Sequence, residues 1–422
     1  MEQDDIRSTR RSFLKAGSVA AGTGLVSVGT GTAATTPGES AGRTTQIGTW
    51  ATASQGPDQP GLVDETIRNI VRTSVGGDGV RVRLANSYSD GPVTFEHVTV
   101  GVSDGGAAIV DGTLRTVTFG DSETVTIQEG ARAYSDPVDL SVEPEQELAI
   151  SIYQAEPTGE ATIHSTTRTT NYLASGDNAG DTQGRSFGET TTTWYYVEGV
   201  DVVGADATET VVCFGDSITD GTASSLDANS AYPDVLAERV NDSPLRKSVI
   251  NLGIAGNQLL NDGIGESGLR RLDRDVLSQA GVSHVVVLIG INDVGLSNEP
   301  ADAIIEGYKQ LVDRVRANGV DIVGATLTPF KGALGDLPDS APVEYYGPTG
   351  YYTDEKEERR QRINEFIRTT DRYDAVVDFD AVVRDPADPE RLRPEYDPGD
   401  HLHPNDKGYR AMAEAIDLSS LR

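Results

Sequence analysis

Residues 210–219 have the sequence TVVCFGDSIT, in which an apolar run ends abruptly at a polar turn. A run that is apolar at nearly every position is typical of a strand buried on both faces of a parallel sheet. Similar runs follow at 284–290 (HVVVLIG) and 321–329 (DIVGATLTP), and the segment between them, 301–319, has the spacing of an amphipathic helix. Buried strands alternating with helices predict an α/β domain over residues 210–422, with a parallel sheet covered on both faces.

Residues 48–205 follow a different pattern. Apolar and polar residues alternate in short segments such as VRVRLANS (80–87) and ELAISIYQ (147–154), and turns rich in Gly, Asp and Pro separate them. A period of two predicts half-buried strands, and no segment here has the spacing of a normal amphipathic helix. We therefore predict an all-β sandwich or jelly-roll domain ahead of the α/β domain.

The N-terminus carries Arg10 and Arg11, followed by Phe-Leu-Lys and a weakly apolar run that ends near Ala34. This order resembles a twin-arginine (Tat) export signal, so we expect a Tat-type signal peptide over 1–34 and a linker over 35–47. The expected location is extracellular, by Tat export. Since no cysteine follows the apolar run and no other segment is apolar for long enough, no stable membrane anchor is expected.

The composition is strongly acidic, with a net charge of -31 and a pI of about 4.4, which argues against nucleic acid as a partner. Only six of the 35 basic residues are lysine. Excess carboxylates with scarce lysine are typical of proteins that stay soluble in strong salt, so we hypothesise a halophilic source. Cys213 is the single cysteine, which excludes an intrachain disulfide and a Cys-based zinc cluster. Its apolar neighbours predict a buried thiol.

Ser217 lies in the turn that ends the first apolar run, directly after Gly215 and Asp216. A serine in a tight turn at the tip of a buried strand presents its hydroxyl freely, as a nucleophile requires. The same residues also describe an ordinary turn that caps a helix. Taken alone, the turn leaves both interpretations open.

Three further features favour the nucleophile. Gly253 and Gly256 lie near the end of a strand-like segment, Asn292 follows the strand at 284–290, and Asp400 and His403 stand three apart in a loop before the last helix. Hydrolysis by serine needs a base, a carboxylate that orients the base, and donors for the oxyanion. The predicted strand ends supply a candidate for each part.

The segments GDSIT, NLGIAGN, GIND and DHLHP, in this order, resemble the four blocks of the SGNH (GDSL-type) esterase and acylhydrolase superfamily. The resemblance covers roughly residues 210–420 and implies a flavodoxin-like three-layer α/β/α domain. The β-rich first half resembles the branch of xylan-associated esterases and acylhydrolases.

The resemblance also implies roles for single residues. Ser217 would be the nucleophile, His403 the general base and Asp400 the residue that orients it. The oxyanion hole would comprise the backbone N–H of Ser217, the backbone N–H of Gly256 and the side-chain amide of Asn292, with Gly253 as the alternative to Gly256. No cofactor and no metal are implied.

The implied activity is hydrolysis of a carboxylic ester through an acyl-enzyme, on a small-molecule or polysaccharide substrate. Expected export and the β domain favour short-chain or acetyl esters, with a lysophospholipase or lipase as the alternative. A metal-dependent hydrolase would use His401, His403, Asp400 and Asp406 instead, although no HExxH motif is present. A catalytically inactive carbohydrate-binding surface protein is the third class, against which the intact set of site residues argues. The oligomeric state is left open.

Some neighbouring residues are expected to have structural roles. Asp216 and Asp293 adjoin site residues, and we expect them to hold turns through backbone hydrogen bonds. The segment 331–353 is rich in Tyr, Gly and Pro, which predicts either a wall or lid over the site or packing onto the β domain. Its tyrosines are Tyr345, Tyr346, Tyr351 and Tyr352.

Overall fold

The computed structural model describes residues 46–56, 60–157, 159–335 and 350–422. The predicted signal peptide, most of the predicted linker, Tyr345 and Tyr346 lie outside these residues. Within them, no helix is both long enough and apolar enough to cross a membrane.

The first half consists of short antiparallel strands, with no helix among its described residues. The strands are β1 (Gln46–Ala51), β2 (Glu65–Arg72), β3 (Gly79–Asn86), β4 (Val93–Phe95), β5 (His97–Val102), β6 (Arg115–Thr116), β7 (Val125–Ile127), β8 (Ala131–Tyr134), β9 (Glu147–Gln154), β10 (Ile163–His164), β11 (Asn171–Ser175), β12 (Glu189–Thr191), β13 (Trp194–Tyr195) and β14 (Val197–Val203). They form a four-stranded sheet β1-β14-β3-β8, a six-stranded sheet β12-β11-β2-β9-β5-β6, and the pairs β4-β7 and β10-β13.

The two larger sheets of this half share one apolar core. Val82 on β3 and Val200 on β14 come from one sheet, Val98 on β5 and Ile150 on β9 from the other, and all four are fully buried. Alternation along each strand places these side chains on the core side, while neighbours such as Thr99, Ser151 and Asp201 point to the other face of their sheet and are buried there as well. The prediction of an all-β domain is confirmed.

The second half is built on a parallel sheet with helices. Its strands are β15 (Glu209–Gly215), β16 (Lys247–Gly253), β17 (Val282–Leu288), β18 (Asp321–Ala325) and β19 (Ala375–Val377). Its helices are α1 (Ser217–Asp220), α2 (Tyr232–Asn241), α3 (Gly268–Arg271), which a π-helical turn (Leu272–Leu277) continues, α4 (Ile291–Gly295), α5 (Ala301–Ala317), α6 (Asp354–Thr369), α7 (Phe379–Val383) and α8 (Asp406–Ala415), followed by a 3₁₀ turn (Leu418–Leu421).

The five strands run parallel in the order β16-β15-β17-β18-β19, which is the flavodoxin-like order. The α/β/α prediction is confirmed. Gly215 at the end of β15 pairs with Gly253 on β16 and with Leu288 on β17, so these three strands end level. Strand order reverses at β15, and ligands of open α/β sheets bind at such a point, beyond the carboxyl ends of the strands.

The apolar run that opened the second half is fully buried as strand β15. Cys213 within it is completely buried, as predicted, and this burial raises the pKa of its thiol above the ordinary value. The sequence SAYPDVLAERVN (230–241) predicts a helix that Ser230 opens, but this prediction is wrong, because α2 begins at Tyr232 with Ala231 as its cap. The Ser230 side chain is turned toward a distant carboxylate instead, and its hydroxyl donates to Asp406 Oδ1 over 2.7 Å.

The described residues of both halves belong to one compact unit. β1 lies close to β16, and the backbone N–H of Gly48 donates to the carbonyl of Ala280 over 3.2 Å. The predicted boundary at 205 falls in the connection between β14 and β15, and the boundary at 210 falls at the second residue of β15. The division into separate domains stays a prediction.

Candidate active site

Ser217 is the first residue of α1, two residues after the end of β15. Asp216 caps this helix, because its Oδ1 accepts from the backbone N–H of Ile218 over 3.1 Å. Gly215 has no room for a side chain, since a Cβ there would lie 2.0 Å from Thr219 Oγ1 and 2.3 Å from the Leu288 carbonyl. The turn therefore requires glycine, and it holds Ser217 at the carboxyl edge of the sheet.

The loop before α8 brings His403 to Ser217. The His403 Nε2 atom lies 2.8 Å from Ser217 Oγ, and its Nδ1 atom lies 2.7 Å from Asp400 Oδ2. Because a carboxylate only accepts hydrogen bonds, the Nδ1–H donates to Asp400, which leaves Nε2 free to accept from the serine hydroxyl. The three side chains form one continuous hydrogen-bonded chain.

Asp400 is oriented by its own loop. Its Oδ1 accepts from the backbone N–H groups of Leu402 and His403, both over 3.0 Å. Burial alone would raise the pKa of Asp400, but the hydrogen bonds and charge of His403 and these two N–H groups outweigh it and lower that pKa below the ordinary value. The carboxylate therefore stays ionised, as a group that orients an imidazole must.

Two backbone N–H groups near the serine remain without an acceptor. Neither Ser217 N–H nor Gly256 N–H meets an acceptor among the residues that the structure describes. Gly256 has φ of +77°, a conformation that favours glycine. The N–H of Gly253, in contrast, already donates to Asn251 Oδ1 over 2.9 Å. Gly256 is thus the better candidate donor of the two glycines.

The Asn292 side chain is buried and held on both sides. Its Nδ2 donates to the carbonyl of Asn257 over 2.9 Å, and its Oδ1 accepts from the hydroxyl of Tyr351 over 2.8 Å. The Asn257 contact ties the amide to the residue that follows Gly256. One N–H of the amide remains for a further acceptor, as an oxyanion donor requires.

Two buried carboxylates hold the turns of the site, as expected. Asp293 accepts from the backbone N–H groups of Leu259 and Leu260 over 2.7 and 2.9 Å, and so fixes the segment after Gly256. Burial raises the pKa of Asp293 to about 6 and that of Asp216 to about 7.

Arg271, which the sequence did not single out, connects the turns. It is fully buried at the end of α3 and donates to the carbonyls of Gly215 and Leu252 over 2.7 and 2.9 Å, and to Asn257 Oδ1 over 3.0 Å. Its guanidinium lies 4.1 Å from the ring centre of Phe214. These contacts join the ends of β15 and β16. Nothing in the surrounding sequence distinguishes this arginine from those on the surface.

Tyr351 and Tyr352 pack inside the second half, both against Phe330. The described part of segment 331–353 thus places these two tyrosines against the α/β half, not on the β domain as one interpretation expected. Tyr351 in addition orients Asn292, a role that composition alone does not indicate.

The four residues of the metal alternative do not form one cluster, although Asp400 and His403 contact each other. His401 pairs with Asp397, with 2.5 Å between Nδ1 and Oδ2, whereas Asp406 accepts from Ser225 and Ser230. In the described part of the chain, no group of three or more His, Cys, Asp or Glu side chains could hold a metal ion.

Residues 213–411 match the model of the GDSL-like lipase/acylhydrolase family. Among solved structures, a carbohydrate acetylesterase family member from Sinorhizobium meliloti is similar at 21% identity, with a TM-score of 0.39, over 50% of this chain and 96% of its own. An aryl esterase from M. smegmatis is similar at 16% identity, with a TM-score of 0.38, over 49% and 95%. A GDSL-like lipase from Bacteroides thetaiotaomicron is similar at 18% identity, with a TM-score of 0.36, over 51% and 88%.

No curated protein matches the chain in sequence. The matched residues run from within β15 into α8, and they contain Ser217, Gly256, Asn292, Asp400 and His403. Residues 213–411 are therefore a GDSL-like lipase/acylhydrolase domain, and the protein is a carboxylic ester hydrolase.

Proposed function

We propose that the chain is a serine esterase in which Ser217 is the nucleophile, His403 the general base and Asp400 the orienting carboxylate. The observation that carries this proposal is the hydrogen-bonded chain from Ser217 Oγ through His403 to Asp400, with distances of 2.8 and 2.7 Å. Membership of the acylhydrolase family supports ester hydrolysis independently of that geometry.

In the first step, Ser217 Oγ attacks the ester carbonyl carbon while His403 Nε2 takes the hydroxyl proton. The charged imidazolium is stabilised by Asp400, whose pKa is held low enough to keep it ionised. Collapse of the tetrahedral intermediate breaks the bond to the alcohol oxygen. His403 returns its proton to that oxygen, which leaves an acyl group on Ser217.

In the second step, water attacks the acyl-enzyme. His403 Nε2 takes a proton from the water as its oxygen bonds to the acyl carbon, and then gives that proton to Ser217 Oγ as the acid departs. Each half reaction balances, because His403 Nε2 takes one proton from the attacking oxygen and gives it to the leaving oxygen.

The negative oxygen of each intermediate would be held by the N–H groups of Ser217 and Gly256 and by the amide of Asn292. Each of these groups has an N–H without an acceptor among the described residues, so none must break a bond to serve. Donors that are fixed before the reaction stabilise the transition state without reorganisation. Loss of one such donor typically slows the reaction by about a hundredfold or more.

We further propose that the substrates are short-chain or acetyl esters, including those on carbohydrate. Ser217 and His403 are only 5% and 8% exposed, so neighbouring residues cover most of the surface of the reacting groups. Ile264 packs directly on Gly256, and Tyr351 lies behind Asn292, which limits the space around two donors. A small acyl group fits such a setting better than a long chain.

Export by the Tat route, a halophilic setting and independence of metal complete the proposal. They are supported by the Arg10–Arg11 signature, by the net charge of -31, and by the separate partners of His401, His403 and Asp406. Undiminished activity in a chelator is the expected result for a serine mechanism.

The proposal is tested by Ser217→Ala with p-nitrophenyl acetate in high salt. We expect activity to fall to background while the folded structure is kept, and we expect a fluorophosphonate to label the parent protein at Ser217. Ser243→Ala is the matched control, since Ser243 lies in the turn before β16, at the opposite edge of the sheet. Full activity of Ser217→Ala would overturn the assignment.

The substrate range is tested with p-nitrophenyl esters of increasing chain length, beside acetylated xylan and a lysophospholipid. We expect kcat/KM to decrease as the acyl chain lengthens. Preference for long chains or for the lysophospholipid would instead support a lipase-type enzyme and would leave the assignment of Ser217 intact.

A further inference from the structure

His164 of the β half contacts the short helix that carries Ser217. It lies on β10 and is only 2% exposed. Its Nε2 atom is 3.0 Å from Asp220 Oδ1, and its Nδ1 atom is 2.7 Å from the carbonyl oxygen of Ala53. Asp220 is the last residue of α1, which begins with Ser217. The contact is separate from the His403 chain described above.

Both ring nitrogens of His164 face oxygens that accept hydrogen bonds. A backbone carbonyl has no proton to give, so Nδ1 must carry one to bond Ala53. An ionised carboxylate has none either, so Nε2 must carry a second proton to bond Asp220. The geometry is thus satisfied by an imidazolium, which forms a buried ion pair with Asp220.

The hydrogen bonds of α1 transmit any displacement of Asp220 to Ser217. The helix has a single turn, in which the N–H of Asp220 donates to the carbonyl of Asp216 and the N–H of Gly221 to that of Ser217, both over 2.9 Å. From the other side, Asn251 Nδ2 donates to the carbonyl of Thr219 over 2.8 Å. A helix this short has no further turn to absorb a shift.

We infer that His164 is a positioning residue, which holds Ser217 in line with His403 by fixing Asp220 from the β half. The inference rests on the proposed role of Ser217 as nucleophile. His164 is itself held firmly, because the Trp194 ring lies against it with 5.6 Å between ring centres and the carbonyl of Ala53 fixes its other nitrogen. The β half therefore contributes a side chain to the support of the active site.

The charge of His164 depends on the groups that face it. Asp220 on α1 attracts the imidazolium and Arg271 on α3 repels it, whereas Trp194 and Ala53 contribute an uncharged ring and a carbonyl. Burial disfavours the charged ring, but Asp220 and the two hydrogen bonds outweigh it, so the pKa of His164 lies above its ordinary value.

The direction of the pH dependence follows from this raised pKa. The ion pair is fully formed at low pH and is lost as pH rises through the pKa of folded His164. His403, in contrast, serves as a base only when it is neutral. Activity therefore needs one histidine charged and the other neutral, which gives the pH profile an alkaline limb that belongs to His164.

The test measures the rate constant of fluorophosphonate labelling and kcat for p-nitrophenyl acetate, from acid to alkaline pH. Asp220→Asn keeps an acceptor oxygen but removes the charge, so we expect its alkaline limb to move to lower pH. His164→Gln keeps an N–H donor that does not titrate, so we expect the alkaline limb to disappear. At pH values below the parent's alkaline limb, we expect kcat to be about tenfold lower than in the parent, because the nucleophile is slightly misplaced.

His97→Gln is the matched control. His97 also pairs with a carboxylate, Asp177, over 3.0 Å, but that pair lies at the surface of the β half. We expect its pH profile and kcat to equal those of the parent. Thermal unfolding of all variants in the same salt shows whether each one is folded.

Alkaline limbs in Asp220→Asn and His164→Gln that coincide with the parent limb would overturn the inference. If His164→Gln does not fold, Asp220→Asn decides alone through the shift of its limb. A parent protein that no fluorophosphonate labels would contradict the proposed function instead. Labelling at Ser217 with unchanged variant profiles would contradict only the role of His164.

Discussion

Replacement of Gly256 by alanine is the sharpest test of the proposed oxyanion donors. The substitution keeps the backbone N–H and adds a single methyl group. The added Cβ would lie 2.5 Å from Ile264 Cδ1, well inside contact distance, and the residue has φ of +77°. Two effects therefore act on the variant, a backbone strain and a clash with one side chain.

The two effects have different sizes and different consequences. An alanine in the left-handed region lowers the free energy of unfolding by about 1–2 kcal/mol. Alanine also makes the unfolded chain less flexible than glycine does, which offsets about 0.4–1 kcal/mol of that loss. Relief of the clash needs a movement of about 1 Å, since carbon atoms pack at about 3.5–4.0 Å. If the Gly256 peptide takes up that movement, its N–H leaves the oxyanion position, and a misplacement of this size costs about a hundredfold in kcat.

The assay combines kcat with p-nitrophenyl acetate and the free energy of unfolding for Gly256→Ala, Ile264→Ala and the double variant. We expect the single glycine variant to lose about a hundredfold in kcat and roughly 1 kcal/mol in stability. In the double variant the clash is absent, so kcat should recover most of its loss while the backbone strain remains. Gly263→Ala is the control, because its φ is not positive and its Cβ would meet only Gln258 Nε2 at 3.6 Å.

A parent-like kcat in Gly256→Ala, together with the expected loss of stability, would refute the reasoning that the Gly256 peptide moves and that this movement slows the reaction. Equal losses in Gly256→Ala and Gly263→Ala would point instead to general disturbance of the loop.

Three further predictions concern the base, the amide and the charge. Asp400→Asn should lower kcat by about a thousandfold or more, because His403 loses the carboxylate that fixes its tautomer; a kcat within tenfold of the parent would contradict this. The low pKa of Asp400 stabilises the folded protein at pH values above the unfolded pKa, and this stabilisation fades as pH falls. The variant should lack this pH-dependent part of the stability. Tyr351→Phe should lower kcat about fivefold with KM unchanged, since one hydrogen bond of about 1 kcal/mol orients the Asn292 amide; a change in KM alone would indicate a substrate contact. The unfolding temperature should rise from low to multimolar salt, because salt screens the net charge of -31; a maximum at low salt would refute the halophilic hypothesis.

The sequence was sufficient to predict the parts of the site that depend on strand order and short spacing. Ser217, Gly256 and Asn292 each follow a buried strand, and parallel strands end at the same edge. Asp400 and His403 meet because they stand only three positions apart in one loop. Such relations are local, or they follow from the alternation of strands and helices.

Contacts between distant residues could not be predicted in the same way. Arg271 and Asn257 meet through a loop closure of 14 residues, and His164 meets Asp220 across 56 residues and a change of fold class. Neither pair has a sequence spacing that constrains it. The prediction that Ser230 opens α2 failed for the same reason, because its hydrogen-bond partner Asp406 lies 176 residues away in the sequence.

A line of buried charges also joins the β half to the candidate active site and couples the stability of the two halves. Arg132 on β8 pairs with Glu198 over 2.5 Å and reaches Asp275 in the π-helical turn at 3.7 Å. Asp275 in turn pairs over 3.3 Å with Arg271, which joins the ends of β15 and β16. Glu198 and Asp275 are almost fully buried, and removal of one partner from such a pair costs about 3–5 kcal/mol. That cost is a large part of the stability of a whole domain. Replacement of the β half by another domain would therefore destabilise the turns around Ser217.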